Sequence, residues 1–374
     1  MTLAIFILVM ALAAWAYMGY PLLAIMLARR HQRPTALSEA SFNNCVAVTV
    51  VIAARNEGER IQARIHNLLD SNYPPDALQI LVADDGSSDD TADRIGAVAD
   101  SRVRVITLKQ PAGKAVALSA AMEQVTTPLT VFADARQDFS PNAIAALAAA
   151  FADPGVGAAS GRLVLHGTEA GGFYWRLESA LRKAESGLGW AHAASGAIYA
   201  IRSELFEPLP AGLLLDDVYT PLQIVQRGYR VAYVAEALAT EPAAIPARQE
   251  FNRKIRTLSG NWQLIALAPW LLLPWRNRVF FAWSSHKLSR LLAPWALLIA
   301  LLVSIVGHGI VLEGALWLQV TAYGVALVAL MAPGLARKVP LAPAAGSFLL
   351  LNAAALLSLP AYLARRDSSR LWKG

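Results

Sequence analysis

Residues Met1 to Leu27 contain no charged side chain, and this run limits the fold more than any motif that follows it. A stretch of that length is enough to cross a hydrocarbon core of ~30 Å. A secretory signal peptide would need a basic start and a short apolar core; here no Lys or Arg comes early and the run is too long. The expectation is a retained transmembrane helix. Three more apolar runs lie near the C-terminus, Leu291–Leu312, Gly314–Gly334 and Ala342–Leu363. Hydrophobic residues make up 56% of the chain and charged ones 16%, too apolar for a soluble protein. Arg29, Arg30 and Arg33 follow the first run, so the positive-inside rule places the polar middle of the chain in the cytoplasm, on a multi-pass protein of the cell (inner) membrane. Lys287, Arg290, Arg337 and Lys338 agree with that orientation. Arg365, Arg366, Arg370 and Lys373 do not if the last run spans, and Asn352 and Pro360 within it leave a re-entrant arrangement open.

The formal net charge is +6, but the basic residues gather beside apolar segments, where anionic lipid headgroups account for them. They are not interleaved with aromatics in the polar part, so no nucleic-acid partner is expected. A single cysteine, Cys45, excludes an intramolecular disulfide and any multi-cysteine metal site, and its apolar surroundings mark it as a core residue. None of the six histidines has ligand spacing with another. His308 falls inside a predicted membrane helix, and His192 reads as a structural histidine or a substrate contact.

Between residue 44 and about 245 the pattern alternates. "CVAVTVVIAA", "LQILVADD", "RVRVITL" and "PLTVFAD" read as buried strands, and the stretches between them as helices, including Glu59 to Asp70, "TADRIGAVAD" and "GKAVALSAAMEQV". This alternation implies an open α/β sheet, mostly parallel, with ligands bound beyond the carboxyl ends of the strands. Arg55-Asn56-Glu57, Asp84-Asp85-Gly86 and Asp134 stand where predicted strands give out. Turn and capping chemistry explains Ser87, Ser88 and Asp89. It does not explain two adjacent carboxylates ending an apolar strand, where they can accept hydrogen bonds from a base N–H or from ribose hydroxyls.

The order "VVIAARNE", "VADDGSSDDT", "GKAVALSAA", "FADARQDF", "ASGAIYAIRSELF", "LLLDDVYTPLQIVQRGYRV" and "FNRKIRTLSGNWQ" resembles the family 2 inverting glycosyltransferases of the GT-A fold in their membrane-integrated form. The resemblance covers about residues 46 to 263. It implies that Ala53, Asn56 and Glu57 line a base pocket with Asp84 and Asp85, for a nucleotide that is usually uridine diphosphate. Lys114 matches a family lysine near the donor and competes with a reading as a solvated lysine at a helix start. Ser119 stands where many relatives carry Asn.

Asp134 matches the first Asp of the family's D-x-D metal motif, and Arg136 occupies the place of the second. One carboxylate suffices for a divalent cation (Mg2+ or Mn2+) when phosphates and waters complete the shell. Arg136 then either points away or binds the phosphates itself. Asp138 replaces the missing ligand only if the backbone bends. In "LLLDDVYTP" the resemblance implies Asp217 as catalytic base, with Asp216 in support, against a reading of both as caps of a helix beginning near Tyr219. Gly196 matches the loop where the acceptor approaches.

"FNRKIRTLSGNWQ" matches the region of the Q-x-x-R-W signature, with Arg253 in place of Gln and Thr257 in place of Trp. Arg253, Lys254 and Arg256 either clamp the departing diphosphate or form the polar face of an interfacial helix. Loss of the Trp weighs against processive polymerisation. Trp270, Trp275 and Trp283 mark a segment at headgroup level. The expected organisation is a transmembrane helix over 1–28, a GT-A domain over 44–245, an interfacial amphipathic segment over 246–290 and transmembrane helices over 291–364. The expected partners are a nucleotide-sugar donor, a lipid-linked or glycan acceptor, and membrane lipids, with a homo-oligomer or a secretion complex as further possibilities. A processive, exporting synthase and a non-catalytic scaffold are the rival readings.

Overall fold

The computed structural model describes residues 1–30, 46–166, 173–242, 247–332, 334 and 341–364. Cys45, Arg33, Arg337, Lys338 and the basic residues from Arg365 onward lie outside these. In chain order the principal elements are α1 (Thr2–Arg30), β1 (Val48–Ala54), α2 (Gly58–Leu69), β2 (Leu78–Asp84), α3 (Thr91–Gly96), β3 (Val103–Thr107), α4 (Lys114–Met122), β4 (Leu129–Ala133), β5 (Asp138–Phe139) and α5 (Ala143–Ala149). There follow β6 (Val156–His166), α6 (Phe173–Leu188), β7 (Ile198–Arg202), α7 (Asp216–Gln226), β8 (Arg230–Pro242), α8 (Ala247–Leu267), α9 (Phe280–Val306), α10 (Ile310–Met331) and α11 (Ala342–Ala364). They form two compact units. One is helical, Met1–Met26 with Ile245–Leu272 and Phe280–Arg366; the other holds the sheet, Leu27–Ala244 with Leu273–Val279.

In the helical unit, α1, α9, α10 and α11 are each long and apolar enough to cross a membrane. α11 is a single helix of 23 residues that continues through Pro360, where a re-entrant turn was an open alternative. Its polar Asn352 is satisfied: its Oδ1 accepts from the Tyr17 hydroxyl at 2.6 Å and its Nδ2 donates to the Phe348 carbonyl at 2.8 Å. Trp262 Nε1 donates to Ser358 Oγ at 3.0 Å, and Gln319 Nε2 to Ser304 Oγ at 3.2 Å. Such interhelical bonds hold apolar helices together where lipid gives them no reason to associate. The expected run Leu291–Leu312 is corrected. α9 begins at Phe280 and ends at Val306, and Gly307-His308-Gly309 turns the chain into α10. Gly309 has φ +114°, which glycine adopts without strain. Hydropathy alone does not see this turn because apolar residues flank it closely. His308 is therefore an exposed turn residue and not part of a membrane helix.

The sheet has eight strands in the order β3-β2-β1-β4-β7-β6-β8-β5. β3, β2, β1 and β4 are parallel, as the strand–helix alternation predicts; β7 runs antiparallel to both β4 and β6, so the second half is mixed. The strand–helix alternation continues past β4, and β6 and β8 pair parallel, but β7 is inserted between β4 and β6 in the opposite direction. Successive strand residues face opposite layers. Val50, Ile52, Ile80, Val82, Val131 and Ala133 pack with Ile61, Ile65 and Leu68 of α2 and Ile144 and Leu147 of α5. Phe132 belongs to the opposite face, where it stacks on Tyr199 of β7 at 4.7 Å between ring centroids.

Gly157 of β6 lets α7 lie close to the sheet: a Cβ there would meet Ile224 Cγ2 at 2.5 Å and Tyr229 Cβ at 2.6 Å. Gly157→Ala is expected to destabilise by about 1–3 kcal/mol through overpacking. Gly96→Ala, whose Cβ meets nothing within 4 Å, serves as the neutral control. Thermal unfolding of the detergent-solubilised protein checks both, and equal midpoints would refute the packing argument.

Candidate active site

Ala54 of β1 is level with Asp84 of β2, and Ile52 of β1 with Ala133 of β4. Asp84 and Asp134 therefore emerge at the same edge of the parallel strands, where open sheets bind ligands. Ala53 is the one residue of β1 that is not fully buried.

The loops leaving these strands are stitched together. Asn56 sits at φ +52°, a left-handed conformation that Asn tolerates better than most residues. Its amide N–H donates to Ser87 Oγ at 2.9 Å, and its Oδ1 accepts from the Ser88 N–H at 2.8 Å. The Glu57 N–H donates to Thr91 Oγ1 at 2.9 Å and the Gly58 N–H to Asp89 Oδ2 at 3.2 Å, so the start of α2 is capped from the neighbouring loop. Burial alone would raise the Asp89 pKa, but hydrogen bonds from Thr91 and Gly58 outweigh it and hold the carboxyl below its usual range. Asp84 and Asp85 are both buried. Asp84 Oδ1 accepts from the Ser87 N–H and hydroxyl. Asp85 accepts from the Ala112 N–H at 2.6 Å and the Gly113 N–H at 3.0 Å, which fixes the turn into α4.

That turn sets the position of Lys114, the first residue of α4. Its ammonium lies 3.0 Å from Asp134 Oδ1 and 3.2 Å from Asp216 Oδ1. Burial would lower its pKa, but Asp134 and then Asp216 and Asp217 raise it well above the usual lysine range. The reading of Lys114 as a solvated helix-start residue is thereby corrected. Asp216 Oδ2 also accepts from the buried Tyr199 hydroxyl at 3.1 Å, and burial followed by the carboxylates Asp216 and Asp217 pushes the Tyr199 pKa up.

Asp216 and Asp217 form the first turn of α7, so the helix begins ahead of the expected Tyr219. Leu215 is its N-cap and neither carboxylate caps it. Asp217 lies against Gly196: a Cβ there would stand 2.9 Å from Asp217 Oδ2. The Ala194 N–H donates to the Asp217 carbonyl at 2.8 Å, which ties the 190s loop to α7. His192 is buried beside this loop, with Nδ1 3.1 Å from the Trp190 carbonyl.

Arg136 is exposed, and its Nε lies 3.3 Å from Glu57 Oε1; Arg60 holds the other oxygen of Glu57 at 3.2 Å. Asp138 lies in β5, exposed, and its carbonyl accepts from Thr240 Oγ1. Ser119 Oγ donates to the Ala115 carbonyl and accepts from the Leu209 N–H, both at 2.9 Å, which gives the departure from Asn a structural role. Arg253, Lys254 and Arg256 lie on α8 in the helical unit, where Lys254 pairs with Glu250 at 3.3 Å.

Two site residues escaped sequence reasoning. Tyr199 carries a hydroxyl into the apolar strand "AIYAIR". Arg64 belongs to the buried stripe Ile61, Ile65, Leu68 by helical spacing, and that spacing was the available signal. Its Nε donates to the Asp134 carbonyl at 3.2 Å and its guanidinium covers the Phe139 ring at 4.0 Å. Burial lowers its pKa to about 9, against Asp138 and Asp134, so it is still charged at neutral pH.

Asp85→Asn is expected to cost about 1–3 kcal/mol, because the new amide group faces backbone donors in a buried place. Arg136→Ala should cost below ~1 kcal/mol, since its ion pair is exposed. Denaturant unfolding of the two variants checks the contrast, and the reverse ranking would refute it.

Residues 49–208 match the family Glycosyl transferase family 2. Among curated proteins none matches the chain. A mannosyltransferase from Pyrobaculum calidifontis, in complex with GDP-Man and Mn2+, is similar in structure with a TM-score of 0.73 and 24% identity, over 96% of this chain and 99% of that one. Glucosyl-3-phosphoglycerate synthase from Mycobacterium tuberculosis, in complex with Mn2+, uridine-diphosphate and glucosyl-3-phosphoglycerate, aligns with 63% of this chain and 85% of its own at 22% identity and a TM-score of 0.43. Mannosyl-3-phosphoglycerate synthase from Rubrobacter xylanophilus aligns with 62% and 78% at 19% identity and 0.45. A family match across the strand ends that carry Asn56, Asp84, Lys114 and Asp134, and a whole-chain likeness in fold, lead to one conclusion: residues 49–208 form a glycosyltransferase family 2 domain of GT-A fold, in a chain that also has four helices long and apolar enough to cross a membrane.

Proposed function

We propose that the protein transfers a sugar, with inversion, from a nucleoside-diphosphate donor to a lipid-linked or growing glycan acceptor at the cytoplasmic face of the inner membrane. The observation that carries the reading is the meeting of the strand-end carboxylate Asp134 and the α7 pair at one ammonium, Lys114. Asn56, Glu57, Asp84 and Asp85 shape the nucleotide side, with Ala53 leaving room for the base. Asp217 takes the proton of the acceptor hydroxyl as its oxygen bonds to the anomeric carbon, and the bond to the diphosphate breaks with its electron pair leaving on phosphate oxygen. Asp216, bound by Lys114 and Tyr199, keeps the start of α7 in place. The small residue at Gly196 leaves space beside the Asp217 carboxylate for the incoming hydroxyl.

Asp134 suits a divalent cation. Its side chain is 34% exposed, and an ammonium already stands 3.0 Å from one oxygen, so the position is one that a cation satisfies. Water, and the donor phosphates once bound, would complete the shell of an ion on this one carboxylate. Asp134 would hold such an ion, which would supply positive charge beside the leaving diphosphate. Arg136 turns from Glu57 toward the same phosphates at little cost, because its ion pair is exposed. Arg253, Lys254 and Arg256 serve as a further diphosphate clamp or as the polar face of α8. Arg29 and Arg30 at the end of α1 support the cytoplasmic orientation. The expected donor is a UDP-sugar; the GDP-Man bound by the Pyrobaculum enzyme makes a GDP-sugar the second class to test.

Nucleoside diphosphate release by the purified protein, over a panel of UDP- and GDP-sugars with manganese, magnesium or chelator, tests the reading. Turnover of one donor that ceases with chelator is expected; release from none with any acceptor extract would sink it. Asp217→Asn should lower turnover by roughly 10²–10⁴-fold while donor binding persists. Full activity in that variant would favour a non-catalytic role for the pair.

A further inference from the structure

We propose that Lys114 is a tethered counter-cation that exchanges with a divalent ion at Asp134, moving fully onto Asp216 when the ion binds. The proposal rests on the reading of Asp134 as the ion-binding carboxylate. Both seats for the ammonium already lie within reach, at 3.0 Å and 3.2 Å, so exchange requires only a rotation of the flexible side chain. The backbone at Lys114 stays where Asp85 holds the Ala112 and Gly113 N–H groups. Tyr199 occupies Asp216 Oδ2 and leaves Oδ1 for the lysine, so that seat is formed before it is needed.

The two seats differ in access. The Asp134 side chain is 34% exposed and that of Asp216 only 6%, so an ion arriving from solvent meets Asp134. A divalent ion on that carboxylate and an ammonium on the same oxygen repel one another, and the mobile partner is the lysine. Its transfer places a full positive charge on the Asp216–Asp217 pair at the moment the donor side is loaded. Ion binding at the end of β4 is thereby coupled through Lys114 to the start of α7.

Titration calorimetry with manganese chloride alone, on the detergent-solubilised full chain, tests the exchange through a double-mutant cycle. Lys114→Met should tighten manganese binding at least ~5-fold, and Asp216→Asn, which removes the charge of the second seat, should weaken it at least ~5-fold. The Asp216→Asn effect should shrink to nearly nothing in the Lys114→Met background, because Asp216 acts through the lysine. The same weakening with and without Lys114 would mean ordinary long-range charge and overturn the proposal. So would unchanged or weaker binding in Lys114→Met, or no binding by wild type and Lys114→Met alike. Should Lys114→Met fail to fold, Asp216→Asn alone decides: unchanged or tighter binding overturns the exchange. Nucleotide-sugar turnover that survives chelator would remove the ion and this proposal while the glycosyltransferase reading stood. The expected cycle without any nucleotide-sugar binding would do the reverse.

Discussion

An ammonium enclosed by carboxylates is what the sheet unit's functional edge is built around. A buried charge is tolerated only when it is paired and hydrogen-bonded. Lys114 meets this condition with Asp134 from the end of β4 and Asp216 from the start of α7, and Asp217 adds to the field. Three elements remote in sequence are held at one point, because removing either carboxylate would leave the lysine short of a partner. The Tyr199 hydroxyl extends the arrangement into β7, where its ring stacks on Phe132 of β4. The polar chain therefore stands on a packed aromatic pair, and the sheet fixes the geometry of the charges.

Around this centre the loops after β1 and β2 are joined to each other and not merely to their own strands. Asn56 to Ser87 and Ser88, Glu57 to Thr91, and Gly58 to Asp89 cross between the β1 and β2 loops, and each uses a backbone N–H that a short loop would otherwise leave unsatisfied. From the β4 side Arg136 meets Glu57, and this contact is exposed. The backbone N–H bonds hold the shape, and the side-chain ion pair is the part that opens cheaply. This division suits a site whose ligand must enter and leave.

The parallel half of the sheet and its acidic strand ends were legible because both signals are local: an apolar run, then a carboxylate, then a helix. The mixed half was not, since nothing local in "IYAIR" states that β7 runs antiparallel to β4. The partners of Lys114 were hidden for the same reason. A lysine at a helix start looks solvated until tertiary structure brings Asp134 and Asp216 to it. Arg64 was readable in principle, as a charge on a buried helical stripe, and its target, the Asp134 carbonyl, was not. In the helical unit, composition located four apolar helices but missed the turn at Gly307-His308-Gly309, because two glycines and a histidine scarcely dent a window average.

Two adjacent carboxylates acquire different work from their surroundings, not from the sequence "LLLDD" that presents them alike. Both lie in the first turn of α7. Asp216 is buried, with one oxygen on the Lys114 ammonium and the other on the Tyr199 hydroxyl. Asp217 is half-buried and lies beside Gly196, at a position any side chain would fill. Separation of roles between paired acids by environment is a recurring way to obtain a base at neutral pH. In the proposed reaction proton removal falls to Asp217, while Asp216 holds the lysine that links α7 to the end of β4.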